Sequence, residues 1–205
     1  MPDEGAAPAP SGVGLAAHLG AAALCLTLSA GALAQGLTLP AALAACTACH
    51  GPDGNAPIAQ FPSLAGQPSV FLENQMVLIR EGLRDIPVMK EVMAGLADEV
   101  IVELAKHFSA RPVAPNKLPV QPEKERLGAQ LAGKMLCATC HLPNYRGQAQ
   151  VPRLAGQNEP YLLLAMKQFR DSPGPGRDTI MAASLYGTSD TDLANLAHYL
   201  AHFVP

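Results

Sequence analysis

The sequence predicts an all-α protein made of two tandem helical domains, related by an internal repeat and joined by a proline-rich linker. Three observations carry that expectation. Residues 41–111 lie over residues 132–205 as a self-match, the mark of a duplicated unit. Within each copy, apolar residues recur at helical spacing over 70–82 and 161–169, and again behind an acidic start over 98–108 and 190–203, while strand-like alternation is scarce. Between the copies, Pro112, Pro115, Pro119 and Pro122 crowd one short stretch. Proline fixes φ and lacks the N–H donor, so this stretch reads as an extended, semi-rigid strap. The expected organisation is a leader over 1–34, a first domain over 35–111, the linker over 112–122 and a second domain over 123–205.

The leader carries an Ala- and Leu-rich run from Leu15 to Leu33, and Ala32-Leu33-Ala34 has the small-residue spacing of a signal-peptidase site. Export with cleavage after Ala34 is the expectation; the rival is a retained membrane anchor, because the run nearly reaches a bilayer-spanning length. The segment before it has no Lys or Arg and holds Asp3 and Glu4, where exported chains usually carry positive charge. Cys25 lies within the run behind Leu24, without the small residue of a lipid-attachment site, and reads as apolar filler. Removing the leader takes away Asp3 and Glu4 and leaves 14 basic and 15 acidic residues, a net charge of −1, which argues against a nucleic-acid partner. Residues 35–111 hold five basic and eight acidic residues, and 112–205 hold nine and seven. A weak dipole of this kind can orient a protein toward a partner.

The hydrophobic fraction of 49% is inflated by alanine: the chain has no Trp, five Phe and four Tyr. Two small domains so poor in bulky side chains need another source of core volume. The repeat supplies a candidate, because Cys46-Thr47-Ala48-Cys49-His50 answers Cys137-Ala138-Thr139-Cys140-His141. Two thiols one helical turn apart can each add to one vinyl group of a haem, and the histidine that follows can turn its imidazole to the iron. Other uses of the cysteines fit less well. A zinc site would draw its pairs from a short segment, whereas these are a whole repeat apart. A redox-active dithiol wants a βαβ surround. Disulfides would leave both histidines unexplained. Two covalently attached c-type haems are therefore expected, held by Cys46, Cys49 and His50 and by Cys137, Cys140 and His141.

The distal side of such an iron takes Met, His or no protein ligand. Two methionine pairs survive the repeat, Met76 with Met166 and Met89 with Met181. The first pair sits among Leu72, Val77, Leu162 and Phe169 at helical spacing and reads as core filling. Met89 and Met181 follow irregular Pro- and Gly-bearing segments, 39 and 40 residues beyond His50 and His141, and are the expected iron ligands opposite the histidines. Met93 competes in the first copy, but its counterpart is Leu185. His107, His198 and His202 are the remaining imidazoles on late helices without repeat partners. Carbonyls near Pro62 and Pro152 are candidate acceptors for the imidazole N–H, and Arg84 and Arg177 are candidate partners for haem propionates.

With Pro62-Ser63-Leu64-Ala65-Gly66-Gln67 answering Pro152-Arg153-Leu154-Ala155-Gly156-Gln157, Phe71 answering Tyr161, and Gly82-Leu83-Arg84 answering Gly176-Arg177, the chain resembles the cytochrome c4 family, dihaem members of the class I cytochromes c, over nearly all of 41–203. The acid-fronted leader and Pro173-Gly174-Pro175-Gly176 depart from the family pattern. The resemblance implies two class I cytochrome c domains with His/Met haems, packed pseudo-symmetrically in a periplasmic electron carrier. Its partners would be redox proteins: a respiratory complex or dehydrogenase as donor, a terminal oxidase or reductase as acceptor. No catalytic residue is expected. The alternatives are a dihaem relay or catalytic subunit of a small-molecule oxidoreductase, and a gas-binding sensor; both need an open iron position.

Overall fold

A computed structural model describes residues 37–204, and the leader expected over 1–34 lies outside them. The first copy contains α1 (Leu39–His50), α2 (Ser69–Arg80), α3 (Pro87–Met93) and α4 (Asp98–Ser109). The second contains α5 (Pro122–Lys134), α6 (Cys137–His141), α7 (Glu159–Asp171), α8 (Thr179–Leu185) and α9 (Asp190–His202). Among the described residues there is no strand beyond an isolated Gln148–Val151 bridge, so the protein is all-α. No described helix is long and apolar enough to cross a membrane.

The amphipathic stretches read from the sequence become α2, α4, α7 and α9, whose apolar stripes face inward. Repeat-related positions fill the two cores: Ile101, Leu104, Ala105 and Phe108 in the first, Leu193, Leu196, Ala197 and Leu200 in the second, all at most 3% exposed. Each such large side chain contributes about 1.5–3 kcal/mol by leaving water. Met93 is fully buried and its counterpart Leu185 is 2% exposed, so both fill the core. Met166 is buried in the second core and Met76 packs against the first, as core filling requires.

The structure departs from the sequence reading in two places. Pro122, taken as the end of the strap, opens α5, where a first-turn proline loses no hydrogen bond. Met89 and Met181, expected to be carried round by the irregular segments they follow, are each the third residue of a seven-residue helix. Pro87 starts α3, and the Asp178 carboxylate caps α8 by accepting from Met181 N–H at 2.8 Å.

The copies repeat a clasp as well as a core. Arg80 reaches from α2 to the Leu96 carbonyl (2.9 Å) and the Asp98 carboxylate (2.8 Å). In the second copy Arg170 reaches from α7 to the Thr188 carbonyl and to Asp190, each at 2.7 Å. In the second copy α5 also crosses α9 at close range: a Cβ on Gly128 would run into the Asn195 carbonyl and the Tyr199 Cβ.

Candidate haem sites

Each site begins at the end of a helix. The first Cys-x-x-Cys-His forms the last turn of α1, closed by Gly51 at φ 82°. The second is the single turn α6, entered through Leu136 in the left-handed region. One turn separates Cys46 from Cys49 and Cys137 from Cys140, and none of the four is in a disulfide. Burial pushes the Cys46 thiol up to about 11 and raises Cys137 as well. Such thiols suit an anchoring role and are poor candidates for thiolate redox chemistry.

His50 and His141 are buried, 5% and 6% exposed. The loop after each histidine folds back so that His50 Nδ1 donates to the Pro62 carbonyl and His141 Nδ1 to the Pro152 carbonyl, both at 2.8 Å. That return is fixed by matched backbone bonds. Leu64 N–H donates to the Gly54 carbonyl at 2.7 Å, and Leu154 N–H to the Tyr145 carbonyl at 2.8 Å. Gly66 and Gly156 N–H each donate, at 3.0 Å, to the carbonyls of Phe108 and Leu200 near the ends of α4 and α9. Burial holds both imidazoles below their usual pKa, with the proline carbonyl opposing it in part. A neutral ring that donates through Nδ1 keeps its lone pair on Nε2, the form a metal requires.

Met89 packs half-buried against the core that contains Cys46, and Met181 against the core that Cys137 and Ala138 border. The arginines read as propionate partners have contacts within the protein: Arg84 donates to Gln75 Oε1 at 2.5 Å and Arg177 to the Ser172 carbonyl at 3.1 Å. The late histidines serve the scaffold. His107 lies beside Arg111. His198 accepts from Gln121 N–H at 2.9 Å and donates to Glu159 at 2.9 Å, while the His202 ring nitrogens face the carbonyls of His198 (2.8 Å) and Leu118 (3.0 Å). Together these two rings staple the strap to α9. Although Glu125, His198 and His202 come within 4.8 Å of one another, both ring nitrogens of each histidine are already engaged.

A free thiol pair one turn apart, followed by a neutral imidazole with a free Nε2, is the donor set that covalent haem requires, and the chain presents it twice. A family model for cytochrome c matches residues 126–203. Fold and sites thus define the class: a c-type cytochrome with two covalently attached haems, which is an electron-transfer protein. Cytochrome c4 of Pseudomonas aeruginosa is 33% identical over 167 residues, 77% of this chain and 83% of that protein. The reduced cytochrome c4 of Pseudomonas stutzeri matches the structure with a TM-score of 0.74 at 28% identity, over 82% of this chain and 99% of that one. A protein of Thiomonas intermedia described as a thiosulfate dehydrogenase electron acceptor is 31% identical over 67% of this chain and 68% of its own length. The chain belongs to the cytochrome c4 family.

Proposed function

We propose that the protein is a periplasmic electron carrier of a respiratory chain, with one haem held by Cys46, Cys49, His50 and Met89 and the other by Cys137, Cys140, His141 and Met181. The paired imidazoles, each pinned by a proline carbonyl at 2.8 Å behind its own thiol pair, carry this reading. Bound haem supplies a one-electron ferrous/ferric couple. The cysteines fix the porphyrin to the helix end. Each histidine, fixed through Nδ1 by its proline carbonyl, would offer its Nε2 lone pair to the iron. Each methionine offers a thioether from a short helix packed on the same core, a ligand that favours the ferrous form and a higher potential. With His50 and Met89, and His141 and Met181, as the residues that would hold the two irons, substrate would have no open iron to meet, and the protein would carry electrons between partners without itself being an enzyme.

A second reading has a specific motive. Its relative in Thiomonas intermedia is named as the electron acceptor of a thiosulfate dehydrogenase, so the donor here is either a respiratory complex or a small-molecule dehydrogenase of that kind. The test of ligation is a pyridine haemochrome count together with a near-infrared scan of the oxidised holoprotein. Two haems per chain with the iron–sulfur band support the carrier. Prompt carbon monoxide binding by the reduced protein would overturn it in favour of an open, catalytic or sensing iron. Rapid reduction by a purified thiosulfate dehydrogenase, set against a quinol-oxidising complex, separates the two donors.

A further inference from the structure

Gln67 and Gln157 close the two Pro-x-Leu-Ala-Gly-Gln repeats, and each turns its side chain into the opposite copy. Gln157 accepts from Ser63 N–H at 2.7 Å through Oε1 and donates to the Ser63 carbonyl at 2.9 Å through Nε2. Gln67 treats Arg153 in the same way, accepting from its N–H at 2.9 Å and donating to its carbonyl at 3.0 Å. All four residues are at most 5% exposed. The contact is self-complementary, like the interface of a two-fold dimer, but lies within one chain.

The peptide units in these bonds are the ones that hold the histidines. Ser63 N–H and the Pro62 carbonyl belong to a single peptide group, and that carbonyl takes the His50 proton. Arg153 N–H and the Pro152 carbonyl form another, which takes the His141 proton. Two hydrogen-bond lines therefore cross between the copies, from His50 through a peptide to Gln157 and from His141 through a peptide to Gln67. A peptide whose N–H is already donated is a stronger acceptor at its oxygen, because bonds in a chain polarise one another. A stronger acceptor at Nδ1 in turn makes the imidazole a stronger donor to iron.

We propose that Gln157 and Gln67 are positioning residues for the iron-binding histidine of the opposite copy, so that each haem's potential is set partly by the other half of the molecule. The inference rests on the histidine ligation proposed above. One guanidinium reinforces the junction. Arg153 donates to the Ala65 carbonyl at 2.9 Å and to the repeat-related Ala155 carbonyl. It therefore straddles the pseudo-symmetric contact, where a second cation at the Ser63 position would meet it.

The test compares holoprotein variants Gln157→Met and Gln67→Met, with site-resolved potentials from redox titration followed by NMR of the assigned haem methyls and of the histidine ring N–H. Gln157→Met is expected to raise the potential of the His50 haem and move the His50 ring N–H upfield, leaving the His141 haem nearly unchanged. Gln67→Met is expected to do the reverse. Gln157→Asn, which shortens the reach, serves if the methionine variant does not fold. Asn158→Ala removes another bond across the same contact, to the Phe61 carbonyl at 2.8 Å, without touching either histidine-bearing peptide, and is expected to leave both potentials in place. Unmoved potentials in the glutamine variants, shifts confined to a glutamine's own copy, or an equal shift from Asn158→Ala would each overturn the proposal. Absence of iron-shifted ring signals from His50 and His141 in the NMR spectrum of the wild-type holoprotein would instead reject the histidine ligation beneath it.

Discussion

At the scale of single residues, the informative contrast is between two methionines four positions apart. Met93 is fully buried at a position where the repeat puts Leu185, and Met89 sits half-buried beside the core. Met93→Leu conserves volume and is expected to cost less than about 1.5 kcal/mol while keeping the near-infrared iron–sulfur band. Met89→Leu is expected to halve that band and to open one haem per chain to carbon monoxide. The imidazoles make a separate, pH-dependent contribution. Burial lowers His50 and His141 from their usual value in the folded chain. The unfolded chain therefore takes up protons that the folded chain refuses, and stability falls as pH drops below about 6.5. The denaturant midpoint is expected to decrease steadily from about pH 7 to about pH 5, and a midpoint that rises over that range would contradict the burial.

Helix crossings decide the elements. Gly128 lets α5 approach α9 closely, because an added Cβ would meet the Asn195 carbonyl and Tyr199 Cβ. Gly128→Ala is expected to destabilise the protein by about 1–3 kcal/mol, read as a lower Tm. Gly133 lies on the same helix with nothing within 4 Å of the added atom, so Gly133→Ala is expected to stabilise by about 0.5–1 kcal/mol. Periodicity made four of the nine helices among the described residues legible, and α5 was not one of them. It could not reveal α1, whose alanine-rich sequence is apolar on every side, nor α3, α6 and α8, which run for only five to seven residues. Such short helices are held by caps and by packing on longer neighbours, since nucleation alone is unfavourable.

For the whole molecule, the two copies meet at matched features. Beyond the crossed glutamines, Gly176 at φ 75° packs against the Leu83 carbonyl and Arg84 nitrogen of the first copy. Gly176→Ala must pay both for the left-handed backbone and for that collision, a loss of about 1–3 kcal/mol. Gly187 has φ 72° but open space around it, so Gly187→Ala carries the backbone cost alone. The difference between their Tm values measures the contact between copies; equal values would show that this contact adds nothing.

The sequence by itself determined the duplication, the helical class, the two Cys-x-x-Cys-His attachment points and the proline strap. Each of these is written in residues close together along the chain, where covalent spacing and the helical period leave a direct trace. It also pointed to the Pro62 and Pro152 carbonyls, since a proline 12 or 11 residues beyond each histidine repeats in register. Only the tertiary structure decided that Met93 fills the core, that His198 and His202 fasten the strap, and that Gln67 and Gln157 reach across to the opposite copy. Those contacts join groups up to 94 residues apart. They arise from the docking of one packed unit on another, and neither composition nor periodicity records which buried amide will find which distant peptide.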